Sequence, residues 1–282
     1  MTTEQTQQGQ RCGFVAIIGA PNAGKSTLIN SLVGAKVSIV THKVQTTRTR
    51  VRAVAIIGEA QVIFVDTPGI FKPKRKLDEA MVDAAWAGAA DADVVALLVD
   101  ARKGLDDDNR RIVEGLKRAR RKAVLVLNKI DLIEKEKLLE LAAAFNDLHD
   151  FEATFMVSAL KGGGLADLRD WLAAHMPEGP WLYPEDQLSD VPLRLLAAEI
   201  TREKLYLRLH EELPYATHVE TEQWEERADG SIRIEQTIYV QRDSQKKIVI
   251  GKGGQTIKEI GRQAREELSE LLGRKVHLFL FV

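Results

Sequence analysis

The sequence predicts an α/β P-loop domain with a doubly wound, mostly parallel sheet, followed by a small α+β domain. Three observations predict it. Apolar, β-branched runs alternate with helical stretches over the first 175 residues. Four prolines at 177, 180, 184 and 192 then break the pattern. Beyond them the element order changes to helix, strand, strand, helix, helix, strand.

The strand candidates of the first domain are Phe14–Ile18, Val51–Ile57, Gln61–Val65, Val94–Val99, Ala123–Leu127 and Thr154–Val157. Most are apolar on both faces, as strands of a parallel sheet covered by helices must be. Helical stretches fall between them at about Lys25–Gly34, Leu77–Ala90, Asp107–Arg120, Lys135–His149 and Leu165–His175. The expected division is a disordered polar tail over 1–10, a first domain over 11–176, a linker over 177–191 and a second domain over 192–282. Trp181, Leu182 and Tyr183 suggest that the linker packs on a domain.

In the second domain a helix is expected over Leu193–Glu212. Alternating strands Tyr215–Glu225 and Ser231–Gln241 follow, joined by a turn at Asp229-Gly230. A short helix reaches Ile250, a longer one covers Gln255–Leu272, and a last strand runs from Lys275 to Val282.

Composition bounds the class. Of 282 residues, 45% are hydrophobic and 29% charged, the balance of a globular protein with a sizeable core. Cys12 is the single cysteine, so no disulfide framework forms within the chain and a reducing compartment fits. At the start of a strand it reads as a small half-buried side chain. The polar N-terminus lacks a signal-peptide pattern, and no run of about 18 apolar residues predicts a membrane span. The cytoplasm is the expected location. The six histidines lack metal-ligand spacing.

Gly19-Ala20-Pro21-Asn22-Ala23-Gly24-Lys25-Ser26 ends a strand and opens a helix, with Thr27 next. Glycines let backbone N–H groups curl around phosphate oxygens, and the helix N-terminus adds partial positive charge. Lys25 is placed to reach the β- and γ-phosphates, and the Ser26 hydroxyl suits Mg²⁺. Asp66-Thr67-Pro68-Gly69 follows the third strand. Asp66 can hold Mg²⁺ through water, and the Gly69 N–H can meet a γ-phosphate oxygen.

Asn128-Lys129-Ile130-Asp131 selects the base. A carboxylate accepts two N–H bonds from guanine N1 and N2, which adenine does not offer. Lys129 can lie over the ring and tie back to the phosphate loop. Ser158-Ala159-Leu160 can supply a backbone N–H to guanine O6. GTP and GDP are therefore the expected ligands, and hydrolysis of GTP the expected reaction. Each motif alone also reads as an ordinary turn or cap, but their order along the chain does not.

In the second domain, Gly251-Lys252-Gly253-Gly254 lies between two helices. Such a Gly-x-x-Gly loop in the α-β-β-α-α-β order is the type II KH arrangement, which clamps a single-stranded nucleic-acid backbone. The expected RNA-contacting residues are Lys246, Lys247, Ile250, Gly251, Lys252, Gly253, Gly254, Ile257 and Lys258, with Ile248 beside them. From Arg242 to Lys275 basic residues outnumber acidic ones by four, in a chain of net charge −1. A solvated helix face explains part of that excess.

The motifs over Phe14–His175 resemble the translation-factor-related P-loop GTPases. That resemblance implies that Thr46 or Thr47, with Thr47 preferred, completes Mg²⁺ coordination beside Ser26 and Asp66. Ile70 stands where Ras-like proteins place a water-positioning glutamine, so slow intrinsic hydrolysis is expected. In some GTPases of this type the residue matching Asn22 helps hold a K⁺ ion; the alternative reading is that Asn22 only shapes the loop.

The whole chain resembles the Era family, through these motifs, Ser244–Gly251 and Glu211-Glu212-Leu213-Pro214-Tyr215. The resemblance implies binding near the 3′ end of 16S rRNA, a role in maturing the 30S subunit and loose association with the inner face of the cell membrane; a monomer is expected. Two departures stand out. Ala23 replaces a common valine, and the chain stops at Val282 where the family usually continues into a basic tail. The alternative reading is a GTPase whose second domain mainly recruits protein partners or the membrane.

Overall fold

The computed structural model describes residues 9–40, 51–73, 76–189, 191–209 and 216–282, with the side chains of 51 and 76–78 left aside. Thr46, Thr47 and the Glu211–Tyr215 motif lie outside the described residues. Two compact units emerge. One runs to Ser38 and resumes through 189; the other holds Val191–Val282 and, among the described residues, Ile39 and Val40.

The first unit is a six-stranded sheet in the order β2-β3-β1-β4-β5-β6. Its strands are β1 Arg11–Ile18, β2 Val51–Ile57, β3 Ala60–Asp66, β4 Val94–Asp100, β5 Val124–Asn128 and β6 Thr154–Val157. All neighbours pair in parallel except β2, which runs antiparallel on the outer side of β3. Every described residue of β3, β4 and β5 is buried, because helices cover both faces. Alternation along β1 serves two cores. Val15 and Ile17 pack with helices α1 (Lys25–Val33) and α5 (Leu165–Ala174) on one face. Ala16 and Ile18 pack on the other with α2 (Lys76–Asp91), α3 (Asp107–Ala119) and α4 (Lys135–Leu148). Local signals set the helix ends: Asp106 caps α3 by accepting from the Asn109 N–H at 2.9 Å. Cys12 is half-buried, and burial pushes its thiol up.

β1 begins three residues before the expected Phe14: Arg11, Cys12 and Gly13 pair with Ala60, Gln61 and Val62 of β3, and the proline-rich stretch adds partners of its own. The Cys12 N–H donates to Pro177 O at 3.0 Å, and Arg11 bridges Glu178. Buried Gln61 holds the same stretch further on. Its Oε1 accepts from the Leu182 and Tyr183 N–H groups at 2.9 and 3.0 Å, and its Nε2 donates to Tyr183 O at 2.8 Å.

The second unit has the order α6 (Leu193–Arg208), β7 (His218–Glu226), β8 (Ile232–Tyr239), α7 (Asp243–Ile250), α8 (Gln255–Leu272) and β9 (Val276–Phe281). Its sheet runs β7-β8-β9, with β7 and β8 antiparallel and β8 and β9 parallel. Ile232, Ile234 and Ile238 alternate inward from β8 onto α6 and α8. No described helix is long and apolar enough to cross a membrane.

Candidate functional site

The carboxyl ends of β1, β3, β4, β5 and β6 line one edge of the first sheet, where ligands of open α/β sheets bind. Ile17 is in register with Asp66, Asp100 with Asn128, and Asn128 with Val157. The motifs at residues 19–26, 66–70, 128–131 and 158–160 are thereby gathered along one edge.

The loop from Gly19 turns into α1 through two left-handed residues, Asn22 (φ 63) and Gly24 (φ 101). A Cβ on Gly24 would collide with Asn128 Nδ2, so glycine is needed there for backbone angle and space alike. Lys25 lies along the loop and donates to Gly19 O and Ala20 O, each at 3.2 Å. Burial pushes its ammonium down to about 8, with Asp66 pulling the other way. The Ser26 hydroxyl donates to Asp66 Oδ2 at 3.0 Å. Thr27 is half-buried in the first turn of α1.

Thr67, Pro68, Gly69 and Ile70 are buried. The Thr67 hydroxyl donates to Ile17 O at 2.8 Å, which ties the segment to β1. The Ile70 N–H donates to Gly19 O at 3.0 Å, which fastens the segment after Asp66 to the phosphate loop. The Ile70 side chain is 2% exposed, packed in the core beside Ala16 and Ile18.

Asn128 joins three motifs. Its Nδ2 donates to Ala23 O at 2.9 Å, and its Oδ1 accepts from the Ala159 N–H at 3.0 Å. The Ala159 N–H is thus engaged within the chain. Lys129, in a left-handed backbone (φ 66), donates to Asn22 O at 2.7 Å. Ile130 opens a short 3₁₀ turn that carries Asp131. Asp131 accepts from the Ser158 hydroxyl at 2.6 Å and pairs with Lys161 at 3.2 Å. The Ser158 hydrogen bond, seconded by Lys161, holds its carboxyl below the usual range. Leu160 is exposed.

Sequence reasoning missed four residues here. Ser38 donates to Asp66 Oδ2 at 2.9 Å. Asn30 clamps Ser38 through both backbone groups. Asp100 pairs with Lys129 at 2.7 Å, and Lys161 reaches Asp131. Only the aspartate ending an otherwise apolar β4 offered a signal, a charged residue at the carboxyl end of a buried strand.

In the second unit, α7, the glycine loop and the start of α8 bring the expected RNA residues together. Lys246, Lys247, Lys252 and Lys258 are exposed, and Ile250 and Ile257 are half-buried. Ile248 is 56% exposed. Gly251, Gly253 and Gly254 all have positive φ, and the Gly254 N–H closes onto Gly251 O at 3.1 Å. A Cβ on Gly251 would collide with Thr256.

Comparison with known proteins agrees with this geometry in both units. A 50S ribosome-binding GTPase family matches residues 14–129, and a KH domain family matches residues 212–281. The GTPase Era of Rhizobium meliloti is 66% identical over 272 residues, covering 96% of this chain and 87% of the relative. The GTPase Era of Brucella suis is 63% identical, covering 99% and 89%. A crystal structure of Era in complex with MgGDPNP and nucleotides 1506–1542 of 16S ribosomal RNA superposes with a TM-score of 0.91 at 42% identity. It spans 97% of this chain and 93% of that one. The phosphate loop, the guanine-type Asn-Lys-x-Asp motif and the glycine-loop domain, in one order over nearly the full length of these relatives, place the chain in the Era family of GTPases.

Proposed function

We propose that this GTPase is a nucleotide-gated RNA-binding switch. It binds 16S rRNA near the 3′ end through the second unit and assists maturation of the 30S subunit. The observation that carries the reading is the presence, in one chain, of Ser26 bonded to Asp66 and a Gly-x-x-Gly loop rimmed by exposed lysines.

In the nucleotide site, the residues of 19–27 hold the phosphates, and the Gly69 N–H meets the γ-phosphate. Mg²⁺ fits the site: the Ser26 hydroxyl and the Asp66 carboxylate are hard oxygen donors already 3.0 Å apart. Thr47 completes the set. A metal held by these residues would neutralise negative charge on the phosphate oxygens. Asp131 reads guanine N1 and N2, Lys129 covers the ring, and the 158–160 loop meets O6. Asn128 acts by tying the phosphate loop to that last loop. Ile70, buried and apolar, orients no water, so intrinsic turnover is slow. Asn22 would either help hold a K⁺ ion or only shape the phosphate loop, and equal turnover in K⁺ and Na⁺ would leave the second role alone.

In the second unit, Gly251–Gly254 approach the sugar-phosphate chain, with Lys246, Lys247, Lys252 and Lys258 at its phosphates. Bases lie on Ile248, Ile250 and Ile257. The chain acts as a monomer in the cytoplasm, with peripheral contact at the inner face of the membrane. The deciding measurement is affinity for an RNA of the 16S 3′ end with a GTP analogue and with GDP. Unequal affinities are expected; equal ones end the gating claim.

A further inference from the structure

We propose that Asp100 is a positioning residue for the nucleotide base: through Lys129 it sets how tightly guanine nucleotides are held. The proposal rests on the reading that Lys129 covers the guanine ring.

Asp100 ends β4, in register with Asn128 on β5, so its side chain belongs to the same edge as the base motif. The residue is 2% exposed. Its Oδ1 accepts from the Arg102 backbone N–H and from Arg102 Nε, both at 3.1 Å. Its Oδ2 accepts from Arg102 Nη2 at 2.8 Å and from Lys129 Nζ at 2.7 Å. Arg102 brings three of these four donors. The fourth comes from the residue assigned to the base.

Lys129 is held at both ends. Its backbone sits in a left-handed turn, and its ammonium is shared between Asp100 on β4 and Asn22 O in the phosphate loop. A lysine stem is otherwise free to sample many rotamers. Fixing the ammonium between two acceptors fixes the methylenes between it and the backbone, and those are the atoms that would lie against a purine. Rigid presentation of that surface raises affinity by lowering the ordering cost of binding. Burial alone would push the Asp100 carboxyl up. The Arg102 and Lys129 hydrogen bonds overcome it and bring it to about 2, so the anchor stays charged across the working pH range.

The test is release of a fluorescent GDP analogue from the full chain. Asp100→Asn should speed release about tenfold, the scale of one well-placed charged hydrogen bond. Because Lys129 works on the ring face and not its edge, the ratio of GDP to IDP affinity should stay at the wild-type value. Lys129→Met should speed release by a similar factor, and adding Asp100→Asn to it should change nothing more. Release within twofold of wild type in Asp100→Asn, or full additivity with Lys129→Met, overturns the proposal. If Lys129→Met itself leaves release unchanged, the base-covering role of Lys129 falls and this proposal with it. If Asp100→Asn does not fold, Asp100→Glu carries the test. It keeps the charge but displaces the carboxylate by one methylene; faster release supports the proposal and unchanged release overturns it.

Discussion

Ser38 Oγ lies 2.9 Å from Asp66 Oδ2, the same carboxylate oxygen that Ser26 Oγ reaches at 3.0 Å. Ser26 belongs to the phosphate loop, and in the proposed reading its hydroxyl would hold the metal. Ser38 lies outside that loop, and it is firmly placed. Asn30 Oδ1 accepts from the Val37 and Ser38 N–H groups at 2.9 and 3.0 Å, and Asn30 Nδ2 donates to Ser38 O at 2.7 Å. Ser38 would therefore keep Asp66 oriented if Ser26 is drawn to the ion. Ser38→Ala is expected to raise the Mg²⁺ concentration needed for half-maximal retention of GDP by about tenfold, as loss of a metal ligand's orienting partner does elsewhere. The check is a Mg²⁺ titration of GDP release; an unmoved midpoint would refute the role.

Lys25 carries a pH dependence of defined sign. Burial brings its ammonium from 10.5 to about 8, so the folded chain holds this proton less tightly than the unfolded chain. Between about pH 8 and 10.5 the unfolded state binds more protons, and stability rises with pH through that window; below pH 8 the cost is constant. The full swing is on the order of 3 kcal/mol. Denaturant melts of the nucleotide-free protein from pH 7.5 to 10 should show this rise, and Lys25→Met should lack it. Phosphate oxygens beside Lys25 favour the charged form, so nucleotide binding at pH 9 should take up a proton. Calorimetry in two buffers of different ionisation enthalpy reads that uptake, and its absence would argue against the Lys25–phosphate contact.

What was legible in the sequence, and what was not, follows from the range of the interactions. Gly19–Ser26, Asp66–Gly69 and Asn128–Asp131 announce themselves because each is a contiguous solution to a local problem: a turn, a strand end, a cap. The two-layer core was legible for the same reason, since β4 and β5 are apolar at nearly every position. Ser38 and Gln61 were not, and Asp100 showed only as a charge at the end of an apolar strand, without its partner. Ser38 meets Asp66 across 28 residues, and Gln61 meets Tyr183 across 122. No periodicity encodes such partners. The early start of β1 was missed likewise, because the partners of Arg11, Cys12 and Gly13 are on β3, about 50 residues on, and at Pro177.

Gln61 shows what such a long-range contact contributes. A fully buried glutamine in an apolar strand satisfies the Leu182 N–H, the Tyr183 N–H and the Tyr183 carbonyl at once. Gln61→Ala leaves those three groups without that partner and is expected to destabilise the first unit by about 2–3 kcal/mol. Chymotrypsin should then cut faster at Trp181–Tyr183. Unchanged melting and unchanged cleavage would mean that the stretch is held by its other contacts, such as Trp181 Nε1 to Glu59 O at 3.1 Å.

The glycine loop offers the cleanest separation of the two units' roles. A Cβ on Gly253 meets nothing within 4 Å, and although its φ is +59, aspartate is among the residues that tolerate that region. Lys252 is exposed. Replacing both by Asp (Lys252→Asp with Gly253→Asp) should therefore leave the second unit folded, whereas Gly251→Ala, pressed against Thr256, should lower its melting temperature. The double variant places two negative charges where a phosphate is expected. Affinity for RNA of the 16S 3′ end should fall at least tenfold, and the salt dependence of binding should lose about one unit of slope for the lost lysine contact. GTP hydrolysis without RNA should match wild type, because no nucleotide residue is touched. Full RNA affinity in a folded double variant would instead favour a second unit that recruits protein or membrane, with its glycines serving only as a turn.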